Sequence, residues 1–538
     1  MEANKTQQAR IEDRIDPICR RVGGLQIQPT VFFGSAGIIL AVLIFGVGFP
    51  AVAEKIFSAV LNAINANGGW FYVLCVNVFL VFSIYLACSP LGRIRLGGPD
   101  ARPNYSRWSW FAMLFSAGMG IGLLFYSVAE PIGFFTDPPF GAEPETAAAA
   151  AQAMALTHFH WGFHAWGIYG VVAIAIAFFA YNKGLPLTIR SAFHPLIGDR
   201  IYGPAGNLID LLAVVATMFG VATSLGLGAM QVNAGLQWLF PQVGYGVFSQ
   251  IVLIVFITIC ATVSVVLGLD RGIRVLSEFN IVVASALLIA VFLLGPTVFL
   301  IDTFFQNVGT YLGRLTSMSL WSQGYQETRG HHGGTVFYWG WWIAWAPFVG
   351  MFIARVSFGR TVREFVVGVL LVPTLINCLW LSVFGNAALH VELFGSGGLV
   401  AMVDENFAMA LFELLGTYPF SSFTALVAIL VITVFFVTSS DSGSLVIDTI
   451  TAGGHPHPPV GQKVFWAVTE GLVAIALLMA GGLSALQTGA VSTGLPFALV
   501  ILVMCFGLHR GLRDELRRVE GKPIHREPTT HPRTDTTT

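Results

Sequence analysis

Charge is what this chain has least of. Only 11% of its 538 residues are Asp, Glu, Lys or Arg, and 28 basic against 29 acidic side chains leave a formal net charge of −1. No basic surface calls for a nucleic-acid partner. Polar coverage is equally short, because 55% of residues are hydrophobic and the mean hydropathy is +0.73, which excludes a water-soluble fold. Cysteine is scarce as well. The six (Cys19, Cys75, Cys88, Cys260, Cys378, Cys505) are scattered without a CxxC, which argues against a disulfide framework or a zinc site. The first thirty residues are charged and lack the short apolar core of a secretory signal, and no interior linker or low-complexity stretch divides the chain.

What fills the chain is apolar sequence long enough to cross a hydrocarbon layer of roughly 30 Å. Runs fall near 31–53, 70–90, 108–129, 156–181, 207–239, 247–268, 277–301, 336–357, 366–389, 422–443, 463–482 and 487–508. The expectation is an all-α polytopic membrane protein with twelve transmembrane helices. Lys and Arg concentrate in alternate connections, among them Arg93 to Arg107, Lys183 with Arg190, Arg271 with Arg274, Arg355 to Arg363, and Arg510 to Arg518. By the positive-inside rule both termini face the cytoplasm of a plasma membrane. One membrane domain, 31–508, then sits between an N-terminal tail, 1–30, and a C-terminal tail, 509–538, whose first half reads as a short charged helix and whose Pro- and Thr-rich end reads as disordered. Asp302 to Gly334 mixes polar with apolar residues and reads as an external interfacial helix followed by a loop.

Three segments interrupt this apolar pattern. In GMGIGLLFYSVAEP, Gly118, Gly120 and Gly122 alternate inside the third run, each costing a helix about 1 kcal/mol relative to Ala. Backbone released there needs a partner in protein, water or ligand, so a mid-membrane break marks a substrate or ion site. On the fourth run Trp161, Trp166 and Tyr169 share an arc of about 140°. Trp339, Trp341, Trp342, Trp345 and Phe348 crowd the eighth. Such rings fill interfaces and cores, or form a cage for a quaternary ammonium group, which has no N–H to donate and is attracted by ring faces at about 0.5–2 kcal/mol each. On the tenth run, VTSSDSG offers hydroxyls suited to Na⁺, or else a Ser-rich helix end capped by Asp441.

Other patterns carry less. His160 and His164 have the i, i+4 spacing of a metal pair, but no third ligand is evident and HExxH is absent. An intramembrane metalloenzyme built on them is the rival reading from another class. Gly118 and Gly122 also form a GxxxG packing motif. Glu130 and Asp210 read as structural partners of Arg or backbone, with a proton relay as the alternative.

Together with FHWGFHAWGIY, LTIRSAFHPLIG (Leu187 to Gly198), GLDRGIRVLSEFN (Gly268 to Asn280) and FYWGWWIAWAPFVGMFIARVSFGRTVREF (Phe337 to Phe365), these segments resemble the betaine/choline/carnitine transporter family from about residue 30 to 510. The resemblance implies two inverted five-helix repeats of the leucine-transporter type, about 108–301 and 336–508, behind two additional N-terminal helices. It implies no enzyme chemistry and no cofactor, with Na⁺ or H⁺ as coupling ion. Residue by residue it implies a cage of Trp161, Trp166, Tyr169 and Trp342, a path lined by Trp345 and Phe348, and Met119 and Gly122 beside the substrate. A sodium site is implied at Ser116, Met119, Phe435, Thr438 and Ser439. The second sodium site of some members needs two threonines on the fifth run; Thr217 is present, but Val221 stands at the partner position, which argues against that site.

The implied substrate is a small trimethylammonium osmolyte or its precursor. Gly122, where choline-selective members often carry an acid, favours glycine betaine. LTIRSAFHPLIG, GVATSLGLG and LWLSVFGNAALH (Leu379 to His390) resemble the choline-importing branch, so both substrates stay open. Carnitine or a sulfonium analogue is compatible with the cage. Membrane lipid is the other partner, and a homotrimer follows by analogy.

Overall fold

The computed structural model describes residues 18–521 apart from 119, 268, 326–329, 456 and 457. The outer part of both tails, including the Pro- and Thr-rich end, lies outside the described residues. A short antiparallel hairpin, β1 (Arg20–Val22) and β2 (Leu25–Ile27), is paired Arg20 to Ile27 and precedes an otherwise helical chain. Gln28 then donates its backbone N–H to Thr451 O at 2.7 Å and caps the first helix with its side chain, which accepts from Val31 N. Part of the stretch read as a tail is therefore packed against the body.

The longer helices run α1 (Pro29–Gly48), α2 (Pro50–Asn67), α3 (Gly69–Cys88), α4 (Arg107–Gly118), α5 (Ile121–Thr136), α6 (Ala147–Trp161), α7 (Phe163–Lys183) and α8 (Pro204–Leu239). They continue as α9 (Val247–Leu267), α10 (Leu269–Leu294), α11 (Thr297–Ser319), α12 (Gly330–Val356), α13 (Val362–Phe394), α14 (Ser421–Thr451), α15 (Val460–Met479) and α16 (Gly482–Val519). Among the described residues ten are long and apolar enough to cross a membrane, or eleven if α10 and α11 count as one bent pair. This is an all-α polytopic membrane protein. The most apolar stretches are not the most buried ones. A window of α1 has hydropathy 2.4 and is 28% buried, whereas one in α12 has 1.3 and is 94% buried, as is one in α6–α7 at 1.8. Outer helices thus offer aliphatic surface to lipid, and the inner ones carry the polar aromatics.

Several boundaries differ from the sequence reading. The first run ends at Gly48, and Pro50 opens the separate helix α2, since proline fits the first turn of a helix but not its interior. The third run is divided between α4, with 12 residues, and α5, with 16, so the alternating glycines do interrupt it. The helix expected within Asp302 to Gly334 is α11, which starts earlier and ends at Ser319. It begins at Thr297, just after Gly295 and Pro296, and turns 110° from the preceding helix. Helix α16 continues to Val519, so the charged helix expected after residue 508 is its own extension.

A second break was not anticipated. Gly162 separates α6 from α7 with φ −97° and ψ −142°, and the N–H freed on Phe163 donates to the Tyr311 hydroxyl of α11 at 3.0 Å. A side chain at Gly162 would run into Tyr311 and the carbonyl of His158. Satisfying the released amide from a neighbouring helix is what lets the break persist in an apolar interior.

Candidate functional site

The break at Gly162 falls between Trp161 and Trp166, and the two rings are aimed from different helices at one space. Trp161 of α6, Ala165, Trp166 and Tyr169 of α7, Trp342 of α12 and Asn377 of α13 line one small cavity, about large enough for a water molecule as the rings stand. All four rings are buried. Trp161 meets Trp342 edge to face with centroids 4.9 Å apart, Trp166 meets Tyr169 at 5.6 Å, and Tyr169 meets Trp342 at 6.4 Å. Among the described residues no charged side chain lines the cavity. Such a box binds through ring quadrupoles and dispersion and suits a bulky cation without N–H groups.

Polar anchors fix the rings. Trp342 donates Nε1–H to the His160 carbonyl at 2.9 Å and stacks on Trp341 at 4.7 Å, while Trp341 donates to Ser224 Oγ of α8. Behind Trp161 stands Glu130 of α5. Its carboxylate accepts from Trp161 Nε1 at 3.0 Å and from the Tyr338 hydroxyl at 2.6 Å, and pairs with His160 Nδ1 at 2.6 Å. With three donors supplied, a buried carboxylate is tolerated and ties α5, α6 and α12 together. His164 bonds to Ser319 Oγ at 3.1 Å. Among the described residues no group of His, Cys, Asp or Glu could hold a metal. Asp210 likewise pairs with Arg190, both fully buried, which is the structural partnership expected for Asp210.

The remaining sequence candidates lie around this box. Trp345 donates Nε1–H to Gly220 O at 2.8 Å, and its ring closes on the α4–α5 break, 3.2 Å from where a Cβ on Gly120 would be. Phe348 packs on Trp345 at 5.3 Å. Neither borders the cavity. Gly122 has no room for a side chain, because a Cβ there would strike Trp341 and lie 3.1 Å from Trp161. Met119 and the side chain of Ser116 lie outside the described residues.

Phe435, Thr438 and Ser439 sit on α14. Thr438 Oγ1 donates back to Val434 O at 3.0 Å, which leaves oxygen lone pairs free to face a cation. At Gly228 of α8, Ile121 of α5 and Phe436 of α14 come together, since a Cβ there would lie 2.9 and 3.1 Å from them. The start of α5 and this part of α14 are therefore neighbours. Asp441 is no helix cap, because α14 runs ten residues beyond it to Thr451. It is buried and accepts from Ser264 Oγ at 2.7 Å. Glu470 of α15, which sequence inspection passed over, accepts from Ser440 Oγ at 3.0 Å and is fully buried. One oxygen of each carboxyl group has no partner among the described residues. A Cβ on Gly443 would lie 3.0 Å from both Glu470 Oε1 and Val221, so apolar packing beside an acid fills the position that a second threonine would need.

With this geometry in place, relatives supply the identity. The profile of the betaine/carnitine/choline family transporters, BCCT, matches residues 30–517. The chain belongs to the BCCT family. It is 46% identical to the glycine betaine transporter of Acinetobacter baylyi over 495 residues, covering 92% of this chain and 74% of the relative. Two Vibrio parahaemolyticus proteins are each 48% identical: glycine betaine transporter 1, covering 91% of this chain and 95% of the relative, and a glycine betaine/proline/choline/ectoine transporter, covering 92% and 88%. Like them this BCCT protein is a transporter and not an enzyme, which disposes of the metalloenzyme rival.

Proposed function

We propose that this BCCT protein is a secondary active importer of a trimethylammonium osmolyte or precursor, glycine betaine or choline, driven by a cation gradient across the plasma membrane. The observation that carries the reading is the buried box of Trp161, Trp166, Tyr169 and Trp342, built from three helices and free of charged side chains. Rings on different helices can part and close around one ammonium head, so occupancy is coupled to helix position. Twelve crossings follow if α4 and α5 are the two halves of one broken span and α10 with α11 make another. Two inverted repeats, 108–301 and 336–508, would then begin at the broken span and at α12, whose Trp345 seals the break. Both termini would be cytoplasmic, and a trimer remains an analogy.

For the coupling ion the first reading is Na⁺ held by carbonyls of Ser116, Met119 and Phe435 and by hydroxyls of Thr438 and Ser439. The convergence of α5 and α14 at Gly228 supports it, because a cation there would tie the broken span to α14. A second reading, proton coupling, is favoured by Asp441 and Glu470. Two neighbouring buried carboxyl groups with incomplete hydrogen bonding and no cationic partner among the described residues are costly as a pair of anions. The absent second sodium ligand at Val221 agrees with either one Na⁺ or H⁺. The test is uptake of labelled glycine betaine and choline by purified protein in liposomes, with Na⁺ and H⁺ gradients imposed separately at matched membrane potential. Accumulation that follows Na⁺ supports the first reading. Accumulation that follows the proton gradient alone supports the second, and no concentrative uptake under either gradient would refute the importer.

A further inference from the structure

We propose that Asn377 determines which ammonium compounds the cage prefers, by offering its carbonyl oxygen to a hydroxyl or N–H group on the substrate. The proposal rests on the cage reading above and goes beyond it, because Asn377 belongs to α13 and to none of the aromatic segments. The amide is held in one orientation. Its Nδ2 donates to the Trp161 carbonyl at 2.9 Å, and since a carbonyl oxygen can only accept, Oδ1 is the free end. Asn377 is 3% exposed and lines the cavity, yet Oδ1 has no hydrogen-bond partner. Trp166, on the same cavity, is 1% exposed and its Nε1–H is likewise unpaired. One unmatched acceptor and one unmatched donor thus belong to residues that border the same space, which Ala165 and the rings of Trp161, Tyr169 and Trp342 complete. A buried polar group left this way is costly, and a ligand in the cavity can supply the missing partner.

Candidate substrates differ in how they meet these two atoms. The glycine betaine carboxylate is acceptor-only. It can take the Trp166 hydrogen, but it leaves Asn377 unpaired and brings an anionic oxygen towards another oxygen. A choline hydroxyl accepts from Trp166 and donates to Asn377, so one group satisfies both. A site whose buried polar atom is matched by one ligand and stranded by another discriminates between them. Asn377 therefore widens the site towards ammonium compounds that carry their own O–H or N–H, without the buried acid that Gly122 has no space to bear.

The experiment measures equilibrium binding of choline, choline O-methyl ether and glycine betaine to the purified full-length protein. In the unaltered protein the methyl ether, which cannot donate, is expected to bind about tenfold more weakly than choline. Asn377→Leu should weaken choline about tenfold, leave glycine betaine within about threefold, and erase the difference between choline and its ether. Equal weakening of choline and glycine betaine in Asn377→Leu would overturn the proposal by making Asn377 only a brace for Trp161. So would an ether that binds the unaltered protein as well as choline does, a result independent of how any variant folds. Failure of the cage itself reads differently: glycine betaine binding would then survive Trp342→Ala.

Discussion

The aromatic box and the carboxyl region of α14 and α15 solve opposite problems in the same membrane interior. Around the box, polar atoms are used as fasteners: the indole N–H groups of Trp161, Trp341, Trp342 and Trp345 all donate to fixed acceptors, whereas Trp166 Nε1 and Asn377 Oδ1 are among the atoms that find no partner in the described residues. In the carboxyl region, Asp441 and Glu470 each lean on a single serine and keep an oxygen unmatched. A saturated network holds a shape. An unsaturated one responds to whatever completes it. On the function proposed above, recognition of the organic substrate belongs to the box, and under proton coupling the response to the ion belongs to the α14–α15 side.

The largest expected effect breaks the box. Trp342→Ala should lower affinity about a hundredfold or more, whereas Trp342→Phe keeps a ring face and should retain binding within about tenfold. Equal loss in isothermal titration would mean that the indole bond to His160 matters more than the face. Next comes the carboxyl side. Glu470→Gln keeps the Ser440 hydrogen bond but cannot exchange a proton. Under proton coupling, concentrative uptake should vanish while substrate exchange across the liposome persists; under sodium coupling, most of the uptake should remain. Thr438→Ala combined with Ser439→Ala should raise the half-saturating Na⁺ concentration about tenfold in a sodium-dependent transporter, with substrate affinity at saturating Na⁺ little changed. The smallest effect concerns the hinge between Trp161 and Trp166. Gly162→Ala forces a methyl against Tyr311 and should cost about 1–3 kcal/mol of stability, read as a lower melting temperature in detergent.

Some of this was open to reading along the chain, and the reason is local chemistry. The break before Ile121 is visible because three glycines alternate where a regular helix is expected. The rings of the box announce themselves by number, but the single helical arc expected for Trp161, Trp166 and Tyr169 does not hold, because the break at Gly162 leaves Trp161 on α6 and the other two on α7. The break at Gly162 escaped notice because what stabilises it, the Tyr311 hydroxyl, lies 148 positions away in sequence. Asn377 and Glu470 are polar residues scattered with others, such as Thr374 and Asn386 or Gln462 and Thr469, along apolar helices, and nothing adjacent to either in sequence says that a cavity or a second acid faces it. The VTSSDSG stretch admitted a capped helix end until α14 was seen to continue through it to Thr451. Patterns set by neighbours on one helix are legible; pairings across helices need the fold.

The central claim is that ring faces hold the ammonium head, and tetramethylammonium isolates that head because it has neither donor nor acceptor. Its competition with labelled glycine betaine should be measured on the purified protein and on the two Trp342 variants. Displacement by tetramethylammonium in the unaltered protein, kept in Trp342→Phe and lost in Trp342→Ala, is the result expected. A protein that binds glycine betaine while ignoring tetramethylammonium, or an Ala variant that is displaced as readily as the Phe one, would contradict the account.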